Sequence, residues 1–298
     1  MEYVSVAEIA KIWGVSERSV RNYCATGRVN GAYLEGKTWN VPKDAIKPDR
    51  INKKSDETES LLEILKSEKK RKYSGGIYHK TQIELTYNSN HIEGSKLTHD
   101  QTMYIFETNT IGIENEAVNV DDVIETVNHF RCIDMIIDNA NGMLSEKLIK
   151  DLHYTLKSGT SDSRLDWFAV GEYKKRANEV GGITTALPAE VPGEMKKLLA
   201  EYNEKKDKSL EDILEFHVKF ERIHPFQDGN GRVGRLIMFK ECLKHKIVPF
   251  IIEDDIKMFY YRGLKEWNNE CGYLRDTCLS AQDKYKAYLD YFGIRYKE

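Results

Sequence analysis

Residues 230–245 spell a helix that is apolar over more than one face, through Val233, Leu236, Ile237, Met238, Phe239, Cys242 and Leu243. Such a helix is stable only as the buried centre of a domain, so the other helices must pack around it. The residues ahead of it set where it begins. Pro225 pushes His224 out of the helical region and ends a helix predicted over 209–222. Gly229-Asn230-Gly231 then forms the turn from which the central helix departs. Its first amides lack intrahelical partners and carry the positive end of the helix dipole, and glycine lets an anion approach them closely. Around this join lie His224, a candidate general base with an ordinary pKa near 6.5, and Asp228, a carboxylate suited to a hard cation such as Mg²⁺. Arg232 and Arg235 stand three apart, on one helix face, where they can grip successive phosphates. The pattern describes a polyphosphate site with a base beside it.

Helical spacing dominates from Leu61 onward, with segments over 61–72, 77–93, 121–141, 145–158, 190–205, 254–270 and 275–292, and a capping box at Thr98-x-x-Gln101. The exception is 159–189, a long loop with Gly171, Gly181-Gly182 and Pro188 and a β-like run over 182–185. Loops of that length in a compact domain are usually functional. The fold class is therefore mainly α: an all-helical domain with a short β-hairpin flap, preceded by a small separate domain. The boundaries read as 1–50, then a linker and connecting helix over 51–75, then 76–298.

Residues 5–26 carry two short helical patterns, Val6, Ile9, Ala10 and Trp13, then Val20, Tyr23 and Cys24, split by Gly14 and the capping Ser16. Turn residues and a β-favouring run to Val41 follow. This segment resembles the winged helix-turn-helix modules of the excisionase and MerR type, which implies a second helix lying in the DNA major groove. Arg18, Arg21 and Arg28 would face outward. Eight Lys/Arg against six Asp/Glu in residues 1–50 leave a net charge of only +2, a thin electrostatic base for DNA affinity. DNA, a second copy of the chain and a partner protein all stay open as its ligand.

Composition removes other classes. With 45 Lys+Arg against 48 Asp+Glu and a net charge of −3, the chain is no general polycation. Its five cysteines are scattered without a Cys-x-x-Cys pair, against both a disulfide framework and a zinc site. No apolar run approaches the roughly 18 residues of a membrane helix, and the opening residues lack the regions of a signal peptide. A cytoplasmic protein without membrane contact is expected.

The run His224-Pro-Phe-x-Asp-Gly-Asn-Gly-Arg-x-x-Arg235 resembles the signature of the Fic family of nucleotidyl transferases. Gly171-Glu172-Tyr173, Val180-Gly181-Gly182-Ile183 and Tyr260-Tyr261 through Asn268 extend the likeness over roughly residues 60–290. The resemblance implies that His224 deprotonates a Tyr, Thr or Ser hydroxyl of a target protein, which attacks the α-phosphorus of ATP and retains AMP. Asp228 would hold Mg²⁺, while Gly229, Asn230 and Gly231 would hold the α- and β-phosphates. Arg232 and Arg235 would complete the grip on β and γ. Val180, Gly181, Gly182 and Ile183 would form a flap that docks the target main chain as an added strand, and Tyr260 and Asn268 would lie on the nucleobase side. Family members that transfer phosphate carry lysine where this chain has Gly231, so an AMP transferase is implied. Self-modification and a homodimer are compatible with this reading.

Ser89 and Glu93 fall four apart on one face at the end of the helix from Ile77, with Gly94 as a good terminator. Beside the signature, Ser89-x-x-x-Glu93-Gly94 is similar to the family's inhibitory motif. It implies that Glu93 pairs with Arg235 and keeps the arginine from the γ-phosphate. The family's reverse reaction, removal of AMP with such a glutamate positioning water, is implied as well. The rival expectation is a DNA-binding regulator whose Fic domain has a regulatory part.

Overall fold

The computed structural model describes residues 2–25, 28–36, 38–48, 59–112, 117–180 and 183–296. It divides into two compact units, Met1–Glu57 and Thr58–Glu298.

The first unit runs β1 (Tyr3–Ser5), α1 (Val6–Trp13), α2 (Glu17–Ala25), β2 (Tyr33–Glu35) and β3 (Thr38–Pro42). Ser5 and Glu8 form a capping box at the start of α1, and Gly14, at φ 64°, ends it in the left-handed region. The apolar positions Val6, Ile9, Trp13, Val20, Cys24, Val29 and Val41 meet in one small core. The sheet is antiparallel in the order β1-β3-β2, with Tyr3 opposite Pro42 and Tyr33 opposite Asn40. Strand β1 has only three residues, too few to show an alternation in the sequence. Arg21 pairs with Glu17 at 2.9 Å, and the Arg28 guanidinium lies 5.0 Å from the Tyr23 ring centre. Two of the basic side chains expected to face outward thus have partners within the unit.

The second unit is mainly α. It begins with α3 (Leu61–Arg71), α4 (Ile77–Ile92), α5 (His99–Thr108), α6 (Val120–Asp138) and α7 (Glu146–Lys157). After the hairpin β4 (Glu179–Val180) and β5 (Ile183–Thr184) come α8 (Val191–Glu204), α9 (Leu210–Ile223), α10 (Asn230–Lys244), α11 (Lys257–Glu266) and α12 (Gly272–Tyr291). Helix α10 is the buried axis, packed against α4, α6, α7 and α9. Thirteen of its fifteen residues are buried, apolar side chains on several faces together with Asn230, Arg232, Arg235, Lys240 and Glu241. Helix α3, read from the sequence as a connecting element, puts Leu62 and Leu65 into the same core and packs on α4 and α6.

Helix α4 is buried although much of it is polar. Several of its polar groups find partners on α6: Gln82 donates to Asp134 Oδ1 at 3.0 Å, Thr86 Oγ1 bonds His129 Nδ1 at 2.9 Å, and Asn90 donates to Thr126 Oγ1 at 3.3 Å. Hydrogen bonds between buried side chains favour one packing arrangement. They tie α4 to α6, while Ser89 and Glu93 at its C-terminal end meet Arg235 of α10.

Candidate active site

The loop between α9 and α10 is built before any ligand arrives. His224 caps α9 at φ 50°, with its N–H donating to Phe220 O at 2.9 Å. A non-glycine residue in this region costs roughly 1–2 kcal/mol, and the surroundings hold it there. Phe226 is buried and stacks on the His153 ring, centroids 3.9 Å apart and planes within 4°. His153 Nδ1 accepts from Gly171 N at 2.9 Å, so Nε2–H donates to Asp228 O at 3.1 Å. Burial pushes the His153 pKa down to about 3, keeping that tautomer neutral. Asn230 closes the turn: Phe226 N–H donates to its Oδ1 at 2.8 Å and its Nδ2 donates to Phe226 O at 2.9 Å. The buried Asn230 side chain thus braces the loop with its carbonyl and one of its two N–H bonds, and its main-chain N–H is one of the first-turn amides of α10.

His224 is mostly buried. Burial, followed by the nearby Lys174 ammonium, pushes its pKa down to about 4, so the imidazole is neutral near pH 7 and able to accept a proton. Its Nδ1 has no hydrogen-bond partner and lies 4.0 Å from Glu221 Oε2. Glu221 was not singled out from the sequence. Burial, reinforced by Glu93, raises its carboxyl pKa to about 8. Its Oε1 sits where a Cβ on Gly234 would lie 2.7 Å away, next to the His217 ring. The glycine at 234 admits this carboxyl beneath the site.

On α10 the first intrahelical bond runs from Val233 N to Gly229 O at 3.0 Å. The N–H groups of Asn230, Gly231 and Arg232 precede that ladder and form an anion seat. Glu93 lies beside it. Its carboxylate lies against Gly231, where a Cβ would run into Oε1. Arg235, only 4% exposed, donates through Nε to Ser89 Oγ at 3.0 Å. Its Nη2 donates to Ser89 O and to Glu93 Oε1, both at 2.8 Å. Burial works against the guanidinium's charge, and Glu93 outweighs it, so Arg235 stays cationic.

The other arginine belongs to a separate ring. Arg232 pairs with Glu125 of α6 and, at 3.1 Å, with Asp228 Oδ2. The buried Lys157 of α7 reaches the same Oδ2 at 2.6 Å, Glu125 at 2.5 Å and Asp162 at 3.4 Å. Burial opposes ionisation of Asp228, and Arg232 and Lys157 overcome it, holding the carboxyl well below its usual range. Among the described residues no group of three or more His, Cys, Asp or Glu could hold a metal. A lone carboxylate that reaches solvent does fit Mg²⁺ delivered with phosphate oxygens and water, which is how this ion usually binds.

Strands β4 and β5 pair Val180 with Ile183, and Gly181 and Gly182 between them lie outside the described residues. The hairpin is tied to the loop by Lys174, whose Nζ donates to Asn178 Oδ1 at 2.6 Å and Thr185 Oγ1 at 2.7 Å. Burial lowers the Lys174 pKa to about 8. Tyr260 is fully buried, with its hydroxyl 2.6 Å from His217 Nε2, so it lies within the core under Arg235 and not on an open nucleobase face. Its neighbour Tyr261 is 41% exposed. Asn268 is exposed and accepts from Arg222 Nη1 at 2.9 Å. Lys157 did carry a signal in the sequence, being a charge on the face of α7 otherwise made of Ile149, Leu152 and Leu156.

Known proteins bear on this arrangement. Residues 143–242 match the model of the Fic/DOC family. Over 209 residues the chain is 27% identical to a protein adenylyltransferase Fic of Drosophila mojavensis, covering 67% of this chain and 38% of that protein. The chain thus spans under half the length of the curated relative it matches. Among solved structures, a Fic-domain-containing signalling protein of Bacteroides thetaiotaomicron aligns with a TM-score of 0.58 and 26% identity, over 77% of this chain and 90% of that one. Fic-1 of C. elegans (residues 134–508) aligns at 0.60 and 19% identity, over 77% and 69%, a likeness of fold.

Proposed function

We propose that this chain, which carries a Fic domain, is a protein adenylyltransferase held back by its own Glu93. Neutral His224 takes the proton of a Tyr, Thr or Ser hydroxyl on a target protein. The oxygen attacks the α-phosphorus of ATP in line, the bond to the β-phosphate oxygen breaks, pyrophosphate leaves, and AMP remains on the target. The amides of Asn230, Gly231 and Arg232 receive phosphate oxygens, and Arg235 takes the γ-phosphate once Glu93 withdraws. Asp228 would hold Mg²⁺, which supplies charge neutralisation between the α- and β-phosphates. The segment from Val180 to Ile183 would dock the target main chain.

The observation that supports this most is the placement of a neutral imidazole and a helix-start anion seat within one braced loop. Glu93, lying beside that seat and paired with Arg235, supports the self-inhibition. In the reverse reaction, removal of AMP, the same carboxylate would position water. Tyr261 would flank the nucleobase. Self-modification and pairing of two copies belong to this reading, as does a reducing, cytoplasmic setting for the five scattered thiols.

The test uses ATP labelled at either the α- or the γ-phosphate, in Glu93→Gly and in the same variant with His224→Ala. Protein-bound label from the α position alone, lost by at least a hundredfold with His224→Ala, is expected. Transfer of γ-label, or no transfer of either, would overturn the assignment. The compact two-helix, three-stranded first unit favours a second, additional reading, DNA binding. A salt-dependent shift of duplex DNA that survives removal of residues 1–50 would sink it.

A further inference from the structure

Asp228, the carboxylate assigned above to Mg²⁺, already has a cation on it. Lys157 Nζ stands 2.6 Å from Oδ2, the oxygen that also receives Arg232 Nη2 at 3.1 Å. The lysine comes from another helix, is 2% exposed, and touches Glu125 and Asp162 as well. Such an ammonium is not a convenience of packing. A buried ion pair is commonly no more stabilising than apolar side chains of the same volume, so packing alone does not call for a lysine on the apolar face of α7. What an apolar side chain could not supply is a fixed positive charge at the metal-binding oxygen.

We propose that Lys157 is a resident counter-cation for Asp228 and that it sets how tightly this protein holds a divalent metal, making the metal's stay depend on nucleotide phosphates. The proposal rests on the assignment of Asp228 as the metal carboxylate. The groups facing one another are Lys157 on α7, Arg232 on α10, Glu125 on α6, Asp162 in the following loop and Asp228 itself, two cations against three carboxylates. An added divalent ion leaves that group with excess positive charge. Without Lys157, one cation faces three carboxylates, and the same ion brings them to neutrality. Phosphates of an incoming nucleotide supply the missing negative charge, so the wild-type protein accepts metal together with nucleotide and releases it when the nucleotide goes.

The experiment titrates the full chain with Mn²⁺ alone and counts free ion by its electron paramagnetic resonance signal, with no nucleotide and no turnover. Lys157→Met should bind Mn²⁺ at least tenfold more tightly than wild type. Lys157→Gln, which keeps a hydrogen-bond donor to Asp228 but no charge, should do the same and serves as the reading if the methionine variant loses its cooperative melting transition. Adding Asp228→Asn to either variant should remove the gained binding, and adding a non-hydrolysable ATP analogue to wild type should narrow the gap. Equal or weaker Mn²⁺ binding in the neutral variants, or gained binding that persists with Asp228→Asn, would overturn the proposal. AMP transfer is a separate readout: label transfer with unchanged Mn²⁺ binding removes Lys157's part alone, and tightened Mn²⁺ binding without transfer removes the adenylyltransferase reading alone.

Discussion

Arg232 and Arg235 sit three residues apart on the same helix, both almost wholly buried and both paired with glutamate, yet their surroundings differ in kind. Glu93, the partner of Arg235, is the capping residue of α4, followed by Gly94 at φ 100°. Its side chain is 28% exposed. Glu125, the partner of Arg232, lies within α6, is 13% exposed, and is shared with Lys157 inside a closed ring. A carboxylate at a helix end with a path to solvent can leave its arginine to an incoming phosphate. One locked inside a ring cannot leave without stranding two cations. Burial and pairing alone do not separate a switch from a fixture; the attachment of the partner does.

The contrast breaks most visibly in stability. Glu125→Ala leaves Lys157 and Arg232 short of a buried partner and should cost about 3–5 kcal/mol, read as a fall in melting temperature of roughly ten degrees. Glu93→Ala, which opens Arg235 to water, should cost at most about 1–2 kcal/mol. Equal losses would erase the distinction between the two pairs. Asn230→Ala, which frees both peptide groups of Phe226 in the brace common to both sides, should cost about 2 kcal/mol in denaturant melts and lower transfer activity with it.

A pH dependence sharpens the Arg235 side. The Glu221 carboxyl has its folded pKa raised from 4.5 to about 8. Its contribution is therefore fully present below pH 4.5 and is lost as pH climbs through about 8. Glu221→Gln has no such loss, so its melting temperature should gain on wild type between pH 5 and pH 8.5. A constant difference across that range would mean that Glu221 is ionised throughout.

Much of this was legible in the sequence because it is local. The all-round apolar run predicted the central helix, and Pro225 with Gly229-Asn230-Gly231 predicted its start. Ser89 and Glu93 share a helix face, and their partner Arg235 followed from the family resemblance. What escaped depends on which faces meet in space. Glu125 comes from one stretch and Lys157 and Asp162 from another, and they meet Asp228 and Arg232 only through packing. Tyr260 and Tyr261 differ by one residue, about 100° of helix rotation, and only the packing of α11 decides which is buried. Asn230 looks the same in sequence whether it grips a ligand or braces its own loop.

The central claim is that Arg235 is shared between Glu93 and an incoming phosphate, and the initial rate of α-phosphate label transfer tests it most directly. At equal protein and ATP, Glu93→Gly should transfer label at least tenfold faster than wild type, and restoring no carboxylate but removing the arginine, as Glu93→Gly with Arg235→Ala, should abolish the gain. Equal rates in wild type and Glu93→Gly would contradict it.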